Sequence, residues 1–286
     1  MHMMLATTSL QRTRSLCRSK KKRSLTKTRS QVVMAKTPEL LSIGTSPWSL
    51  KARWALKHHG ISYRTTPYQP VLGELWLRWR LGKWRGRVSV PVLFLSNGSA
   101  IDDSYSIVCW ADDHGAHQGA TKLVPQEHSE AVARFNQLSD TILFFGRQQL
   151  LQLCVESAEA RKPFLPPFLP SWTTDWLVRT VCGRVLAKYS AESSRSSKQQ
   201  VVQALEEVRA ALQNQGGSTA TASGSAAGGR GSTGSQELLG RYLVGGAFSH
   251  ADIAVAAALQ FVKPVGPPYN KSKSGVQPPV CAELAA

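Results

Sequence analysis

The sequence predicts a small α/β domain followed by an all-helical domain, and three observations lead to that prediction. Residues 39–114 alternate between short apolar runs and helical patterns, as an α/β unit does. From residue 127 onward, apolar residues recur at helical spacing. Residues 116–125 between the two regions are typical of a linker. We therefore place the first domain at residues 38–115 and the second at residues 126–286.

The first domain contains four predicted strands and a helix whose beginning and end are both marked. Ser46-Pro47 joins a good N-cap residue to a proline at the first helical position. Gly60 stands where a glycine commonly ends a helix. A hairpin turn precedes the last strand, and Asp103-Ser104 caps a further helix. The predicted strands cover residues 40–43, 61–65, 91–95 and 100–101.

The second domain is predicted to be helical, with two interruptions. A proline-rich run at residues 163–170 breaks the pattern. Residues 216–235 are almost entirely Gly, Ser, Thr and Ala, so they cannot bury a core and are expected to form a flexible insertion. The predicted helices span residues 127–156, 173–189 and 198–213, and a last helix starts at Ser249.

More than half of the net charge of +17 comes from the N-terminus. Residues 1–38 carry ten Lys or Arg and no Asp or Glu. This composition is typical of an organelle transit peptide, and residues 32–35 resemble an algal chloroplast processing site. We therefore expect a disordered leader at residues 1–37 and a protein of the chloroplast stroma. The alternatives are the mitochondrion, a basic tail or nuclear import signal at residues 20–23, and a cytosolic product that starts at Met34.

The cysteine spacing argues against a zinc-binding protein, and the length of the apolar runs argues against a membrane-spanning one. No two cysteines form a C-x-x-C pair, and no Cys and His residues have zinc-site spacing, so we expect free thiols and no metal. The longest apolar stretch, residues 253–262, is too short to span a bilayer, so no membrane partner is expected. The cysteines are Cys17, Cys109, Cys154, Cys182 and Cys281.

Four segments together resemble the glutathione S-transferase superfamily, in which a thioredoxin-like domain precedes a helical bundle. The first segment is Ser46-Pro47-Trp48-Ser49, which stands where thioredoxin-like proteins carry C-x-x-C. It resembles the helix start of serine-type transferases, which implies that Ser46 is the catalytic hydroxyl that stabilises the thiolate of glutathione. Thr45 and Ser49 are possible substitutes. The alternative is that Ser46 acts only as a helix cap.

The second and third segments resemble those that bind the rest of glutathione in this family. Val90-Pro91 stands where family members have a cis peptide bond, which implies that the backbone of Val90 pairs with the cysteinyl part of the tripeptide. Asp103-Ser104 resembles the pair that holds the γ-glutamyl end at a helix N-terminus, although Asp102 competes for the acidic role. The alternatives are an ordinary edge strand and a plain N-cap.

The fourth segment belongs to folding rather than to chemistry. Ser249 and Asp252 are three residues apart and resemble the capping box that begins a core helix of the helical domain. The resemblance also implies glutathione and a small electrophile or peroxide as substrates, a possible homodimer, and neither a metal nor a nucleotide. Side chains that could line an electrophile pocket or belong to the core are Phe135, Phe144, Phe145 and Trp172.

Other functions remain open. The chain ends at Ala286, where family members normally carry one or two more helices, and this favours a non-catalytic binding or interaction module as the alternative function. Residues 76–87 interleave tryptophans with Lys and Arg, a composition that can bind nucleic acid. Nucleic acid is the less expected partner, because glutathione is itself anionic and would also account for positive charge in this segment. A disulfide reductase would need a cysteine in place of Ser46 or Ser49.

Overall fold

The computed structural model describes residues 37–70, 73–115, 120–162, 171–193, 197–214, 242–263 and 265. Apart from residue 37, the predicted leader lies outside the described residues, and so do the proline-rich run and the predicted insertion at residues 216–235. Cys17 and Cys281 lie outside them as well. The domain boundaries therefore stay a prediction.

One mixed sheet forms the centre of the first domain. Its strands are β1 (Glu39–Ser42), β2 (Arg64–Pro67), β3 (Val92–Phe94) and β4 (Ala100–Ile101). Their spatial order is β2-β1-β3-β4. β1 is parallel to β2 and antiparallel to β3, and β4 is antiparallel to β3.

The second strand begins three residues later than predicted, and the end of the preceding helix explains the difference. Gly60 has a φ of 60°, and the N–H of Ile61 donates to the carbonyl of Leu56 at 2.9 Å. The chain therefore first satisfies the last carbonyls of the helix. Pairing with β1 starts where the N–H of Arg64 donates to the carbonyl of Pro38 at 2.8 Å.

Three helices cover the two faces of the sheet. α1 (Pro47–His58) and α3 (Ser104–His114) lie on one face, and α2 (Glu74–Leu81) lies on the other. The alternation of side chains along β1 determines this layering. Leu40 packs in the cluster of α1 and α3, whereas Leu41 packs in the cluster that contains Leu77 of α2.

The second domain is helical, which confirms the predicted fold class of a thioredoxin-like α/β domain followed by an all-α domain. Its core joins side chains of four elements, with Ile142, Val201, Leu243 and Val255 among them. Its helices are a 3₁₀ turn (Gln126–His128), α4 (Ser129–Glu156), α5 (Ala158–Arg161), α6 (Ser171–Ser193), α7 (Lys198–Asn214) and α8 (His250–Val262).

The predicted capping box at the start of α8 is confirmed. The Asp252 carboxylate accepts the N–H of Ser249 at 2.8 Å and the N–H of Leu243 at 2.9 Å. The first contact is the reciprocal half of the box. The second attaches the preceding loop, so one carboxylate fixes both the start of α8 and the chain that leads into it.

Among the residues that the structure describes, Cys109, Cys154 and Cys182 form no disulfide bond with one another. Within the described ranges, none of the helices combines the length and the apolarity needed to cross a bilayer. The same part of the chain contains no group of three or more His, Cys, Asp or Glu side chains that could hold a metal ion.

A buried lysine connects the two domains. Lys51 of α1 is 0% exposed, and its ammonium donates to three groups of α4. The acceptors are Ser139 Oγ at 2.6 Å, Asp140 Oδ1 at 3.0 Å and Asn136 Oδ1 at 3.1 Å. The indole N–H of Trp48 donates to the same Asp140 oxygen at 3.0 Å. These bonds hold the first turns of α1 against α4.

A neutral histidine adjoins this lysine. The His250 side chain is fully buried, and its Nε2 lies 3.2 Å from Asn136 Oδ1. Its Nδ1 has no hydrogen-bond partner in the described part of the chain. Burial, and next the charge of Lys51, lower the pKa of His250 to about 3. The imidazole therefore stays uncharged at neutral pH and adds no second positive charge to the interface between the domains.

Replacing Asp140 with alanine should lower the free energy of unfolding by about 3 kcal/mol, because the buried ammonium of Lys51 loses its counter-charge. Urea denaturation followed by circular dichroism measures this loss. The matched control is Glu207→Ala, which breaks a 2.7 Å ion pair with Arg134 whose side chains are 54% and 41% exposed. That control should cost less than about 1 kcal/mol. Equal losses in the two variants would contradict the importance of the buried pair.

His250 should make the fold sensitive to acid. Above pH 6.5 the imidazole is neutral in both states, so its contribution to stability is complete. Between pH 6.5 and about 3 the unfolded chain binds a proton that the folded chain does not bind. The free energy of unfolding should therefore fall by up to about 1.4 kcal/mol per pH unit as the pH decreases. Urea denaturation at a series of pH values measures the slope.

The control for this slope is His250→Asn, which cannot take up a proton. Its free energy of unfolding at neutral pH need not equal that of the wild type. Above pH 5, the fall of this free energy with decreasing pH should be smaller by the contribution of about one proton. Glu39 does not interfere there. Despite burial, which raises it, hydrogen bonds from Arg80 and Thr66 lower the pKa of Glu39 from 4.5 to about 2, so its contribution is lost only below 4.5. An unchanged slope in the variant would show that His250 is not buried in neutral form.

Candidate functional site at one end of the sheet

The strand register brings three loops to one end of the sheet. Leu41, near the end of β1, pairs with Val92 at the start of β3. Leu93 in β3 pairs with Ile101 at the end of β4. The segments that follow β1 and β4 and the segment that precedes β3 therefore meet. α1 and α3 begin in two of these segments, so the N-terminal ends of two helices lie at this end of the sheet.

The predicted site residues occupy these three segments. Ser46 lies between β1 and α1, Val90-Pro91 lies directly before β3, and Asp103-Ser104 lies between β4 and α3. The structure thus places them at a common end of the sheet, although they are far apart in sequence.

Ser46 is the N-cap of α1 and is half-buried. Its Oγ accepts the N–H of Ser49 at 3.5 Å, and its own N–H donates to the carbonyl of Ile43 at 3.1 Å. The guanidinium of Arg53 donates to the carbonyl of Gly44 at 2.8 Å and so holds the turn before the helix. Because the cap bond uses a lone pair of the hydroxyl, the hydroxyl proton can still be donated to an anion.

The two possible substitutes for Ser46 have different environments. Thr45 is exposed in the turn. Ser49 is 0% exposed, and its Oγ accepts the N–H of Ile43 at 3.3 Å. Ser49 belongs to the inner side of the first turn of α1, so its hydroxyl faces the end of β1. This burial argues against the prediction that Ser49 could replace Ser46, whereas Thr45 stays accessible.

The peptide bond between Val90 and Pro91 is cis, as the resemblance implied. Pro91 is buried and Val90 is half-buried. The pairing between β1 and β3 starts at Val92, so the backbone of Val90 lies beyond the ladder of hydrogen bonds. Such a backbone segment can pair with an extended peptide.

The start of α3 carries two neighbouring acids with different partners. Asp103 is the exposed N-cap, and its carboxylate accepts the N–H of Ser106 at 2.8 Å. Ser104 is buried at the first helical position. The carboxylate of Asp102, which competed for the acidic role, forms an ion pair with Lys83 from the loop after α2. Asp103 is therefore the acid that caps the start of α3. The ion pair of Asp102 with Lys83 holds the basic loop after α2 next to that helix start.

The beginning of α2 contacts the helical domain. The Glu74 carboxylate accepts hydrogen bonds from Lys188 of α6 and from Arg78, each at 2.7 Å, and these bonds lower the pKa of Glu74. Burial, and next the charge of Glu74, raise the pKa of Tyr68 to about 12. The phenol of Tyr68 therefore stays protonated at neutral pH. The hydrogen bond between Glu74 and Lys188 joins the α2 side of the site to α6.

Aromatic side chains and a guanidinium lie beside the start of α1. The Trp48 ring stacks on Phe144 of α4 with 5.7 Å between the ring centroids. The Arg147 guanidinium lies 4.9 Å from the centroid of Trp48 and 3.8 Å from that of Tyr189 in α6. These four side chains form a wall, here called the Trp48 wall, next to the helix start that carries Ser46.

Sequence reasoning found one member of this wall and missed three. Phe144 was a candidate for the electrophile pocket, and it stacks on Trp48 as described. Phe135 is buried in the helical core, and Phe145 packs against that core, which agrees with the alternative that they belong to the core. The side chain of Trp172 lies outside the described residues. Trp48 was part of the motif at Ser46, but no sequence signal connected Arg147 or Tyr189 to it.

The sequence of residues 45–114 matches the profile of a known family, described as glutathione S-transferase, N-terminal domain. The matched range begins at the turn before α1 and ends at the last residue of α3. It contains the loops before β3 and after β4 and the last two residues of the loop before α1. A search of curated proteins found no match.

Solved structures with a similar fold include a glutathione transferase of Phanerochaete chrysosporium, with 19% identity and a TM-score of 0.50. The alignment covers 87% of this chain and 96% of that one. A glutathione S-transferase of Methylobacillus flagellatus KT, solved with glutathione bound, is 21% identical with a TM-score of 0.42, and the alignment covers 87% and 92% of the two chains. Residues 45–114 therefore match the model of the glutathione S-transferase N-terminal domain, and the described part of the chain has a glutathione S-transferase-like fold.

Proposed function

We propose that the chain is a glutathione transferase-like enzyme in which the Ser46 hydroxyl stabilises the thiolate of glutathione. The observation that supports this proposal best is the position of Ser46 as the N-cap of α1, at the sheet end where the cis Val90–Pro91 bond and the start of α3 also lie. A hydroxyl with a proton to donate, at the positive end of a helix, favours a negatively charged sulfur.

The free energies are of the right size for this role. A free thiol titrates near 8.5, and lowering its pKa by about two units requires about 2.7 kcal/mol. One hydrogen bond to a charged group contributes about 1.5–3 kcal/mol. The end of the helix adds about 0.3–1 kcal/mol. One hydroxyl and one helix terminus can therefore keep the sulfur ionised at neutral pH.

The rest of the tripeptide has complementary groups at the same end of the sheet. The backbone of Val90 pairs with the cysteinyl residue as an added strand would. The γ-glutamyl carboxylate binds at the start of α3, where Ser104 and the backbone N–H groups donate hydrogen bonds to it. The carboxylate of Asp103 then faces the α-ammonium of the same group. Each contact joins opposite charges or a donor to an acceptor.

The second substrate occupies the space next to the Trp48 wall. The thiolate attacks an electrophilic carbon, a carbon–sulfur bond forms, and the leaving group departs with the electrons of its bond. With a peroxide, the thiolate attacks one oxygen and a sulfur–oxygen bond forms as the oxygen–oxygen bond breaks; the other oxygen leaves with the electrons of that bond and takes up a proton. The rings of Trp48 and Phe144 favour an apolar or aromatic electrophile.

Ser46→Ala should reduce kcat/KM for conjugation of glutathione to a chlorinated nitrobenzene about 100-fold, because the thiolate loses its hydrogen bond. The thiol pKa of bound glutathione, measured by ultraviolet absorption against pH, should rise by about two units. Ser46→Thr keeps a hydroxyl and a helix cap, so it should retain most of the activity.

Thr45→Ala is the matched control, since it removes an exposed hydroxyl one residue away. Unchanged turnover in Ser46→Ala together with a loss in Thr45→Ala would transfer the catalytic role to Thr45. If the wild-type chain is retained on immobilised glutathione but catalyses no conjugation, it is the non-catalytic binding module instead.

Asp103→Asn should weaken glutathione binding about tenfold, because the amide still caps α3 but no longer attracts the γ-glutamyl ammonium. Isothermal titration calorimetry measures the affinity. Cysteinylglycine, which lacks the γ-glutamyl group, should bind both forms equally. Asp102→Asn is the control, and it should leave the affinity for glutathione within about threefold of the wild type. A loss of cysteinylglycine binding in Asp103→Asn would show that the helix start itself is disturbed.

A further inference from the structure

Helix α2 presents an apolar face to solvent in addition to the one that it buries. Leu77 is buried against the sheet. On the other side of the helix, Leu75 is 72% exposed, Trp79 is 67% exposed and Trp76 is 40% exposed. Their spacing places them on one face. Trp84, in the loop after the helix, is 64% exposed. We call Leu75, Trp76, Trp79 and Trp84 the tryptophan face.

Cations surround this face. The guanidinium of Arg80 lies 4.9 Å from the centroid of the Trp76 ring. Arg78 donates to the carbonyls of Lys83 at 3.3 Å and Gly86 at 2.9 Å, which ties the loop that carries Trp84 to the helix. Residues 74–87 contain one acid, Glu74, and five cations, which are Arg78, Arg80, Lys83, Arg85 and Arg87.

We propose that the tryptophan face binds the surface of an anionic lipid bilayer. Indole rings favour the boundary between headgroups and acyl chains, where their apolar rings are covered and their N–H groups stay hydrated. The aliphatic side chain of Leu75 enters the acyl region. The exposed side chains of Lys83, Arg85 and Arg87 bring positive charge close to the anionic headgroups.

Two other occupants fit the observations less well. A nucleic acid would leave Leu75 in water, since a leucine does not stack on bases. It would also need several unengaged cations for individual phosphates, whereas Arg78 and Arg80 already bind Glu74 and Glu39. A second copy of the chain would bring two sets of like charges together. A bilayer instead responds to the net positive charge of the whole segment.

This proposal differs from the expectation of no membrane partner, which rested on the lack of a segment long enough to span a bilayer. Binding at the surface requires no spanning helix. The inference does not depend on the proposed transferase activity, because none of the side chains of the tryptophan face was assigned to glutathione.

Co-sedimentation of the full chain with lipid vesicles tests the proposal. One set of vesicles is pure phosphatidylcholine, and the other contains about one-third phosphatidylglycerol. The test variants are Trp76→Ala and Trp79→Ala. The matched control is Trp54→Ala, which removes an indole that is 50% exposed on α1, across the sheet from α2. The ten cations of residues 1–38 are common to every variant, so a difference between variants reports the tryptophan face.

We expect binding to the anionic vesicles, a loss of about tenfold in affinity in Trp79→Ala, and wild-type affinity in Trp54→Ala. Raising the salt from about 0.1 M to about 0.5 M should also release the protein. Equal affinity of Trp79→Ala and Trp54→Ala for these vesicles would overturn the proposal. Binding of a single-stranded oligonucleotide in the absence of vesicle binding would overturn it as well and would assign the face to nucleic acid.

Discussion

The antiparallel pairing of β1 with β3 is the constraint on which the rest of the first domain depends. Adjacent residues of β1 point to opposite faces, so Leu40 contacts the layer of α1 and α3 while Leu41 contacts the layer of α2. A slip of one residue would exchange the two layers. The same register brings the end of β1 to the start of β3, and it therefore places the segments that carry Ser46 and Val90 at a common end of the sheet.

The contact between the domains connects stability to the Trp48 wall, beside which we place the second substrate. The carboxylate of Asp140 satisfies the buried ammonium of Lys51 and also accepts the indole N–H of Trp48. The orientation of the Trp48 ring, and with it the Trp48 wall, is thus fixed by the ion pair that holds α1 against α4. A substitution in this cluster would change both the free energy of unfolding and the shape of the site, so activity measurements on such variants need a parallel measurement of folding.

Local signals in the sequence predicted the elements that depend on local chemistry. Ser46-Pro47 and Asp103 are helix starts because their side chains and backbone suit that position wherever it occurs, and both were predicted at the observed residue. The start of β2 was predicted too early, because the hydrogen bond from the N–H of Ile61 to the preceding helix has no recognisable sequence pattern. The buried state of Lys51 was not predictable either, because its partners lie 85 to 89 residues away.

The Ser46 hydroxyl can serve folding and chemistry together because the two roles use different parts of it. As a cap it accepts an N–H, and towards a thiolate it donates its proton. The cap bond to Ser49 is long, at 3.5 Å, so it satisfies only part of the donor capacity at the start of α1. Pro47 has no N–H and the N–H of Ser49 makes the cap bond, so in the first three positions of α1 the N–H of Trp48 is left to face the same side as the hydroxyl proton. A weakly capped helix end is thus a better anion site than a fully capped one. We therefore interpret the geometry at Ser46 as suited to a negatively charged atom rather than to capping alone.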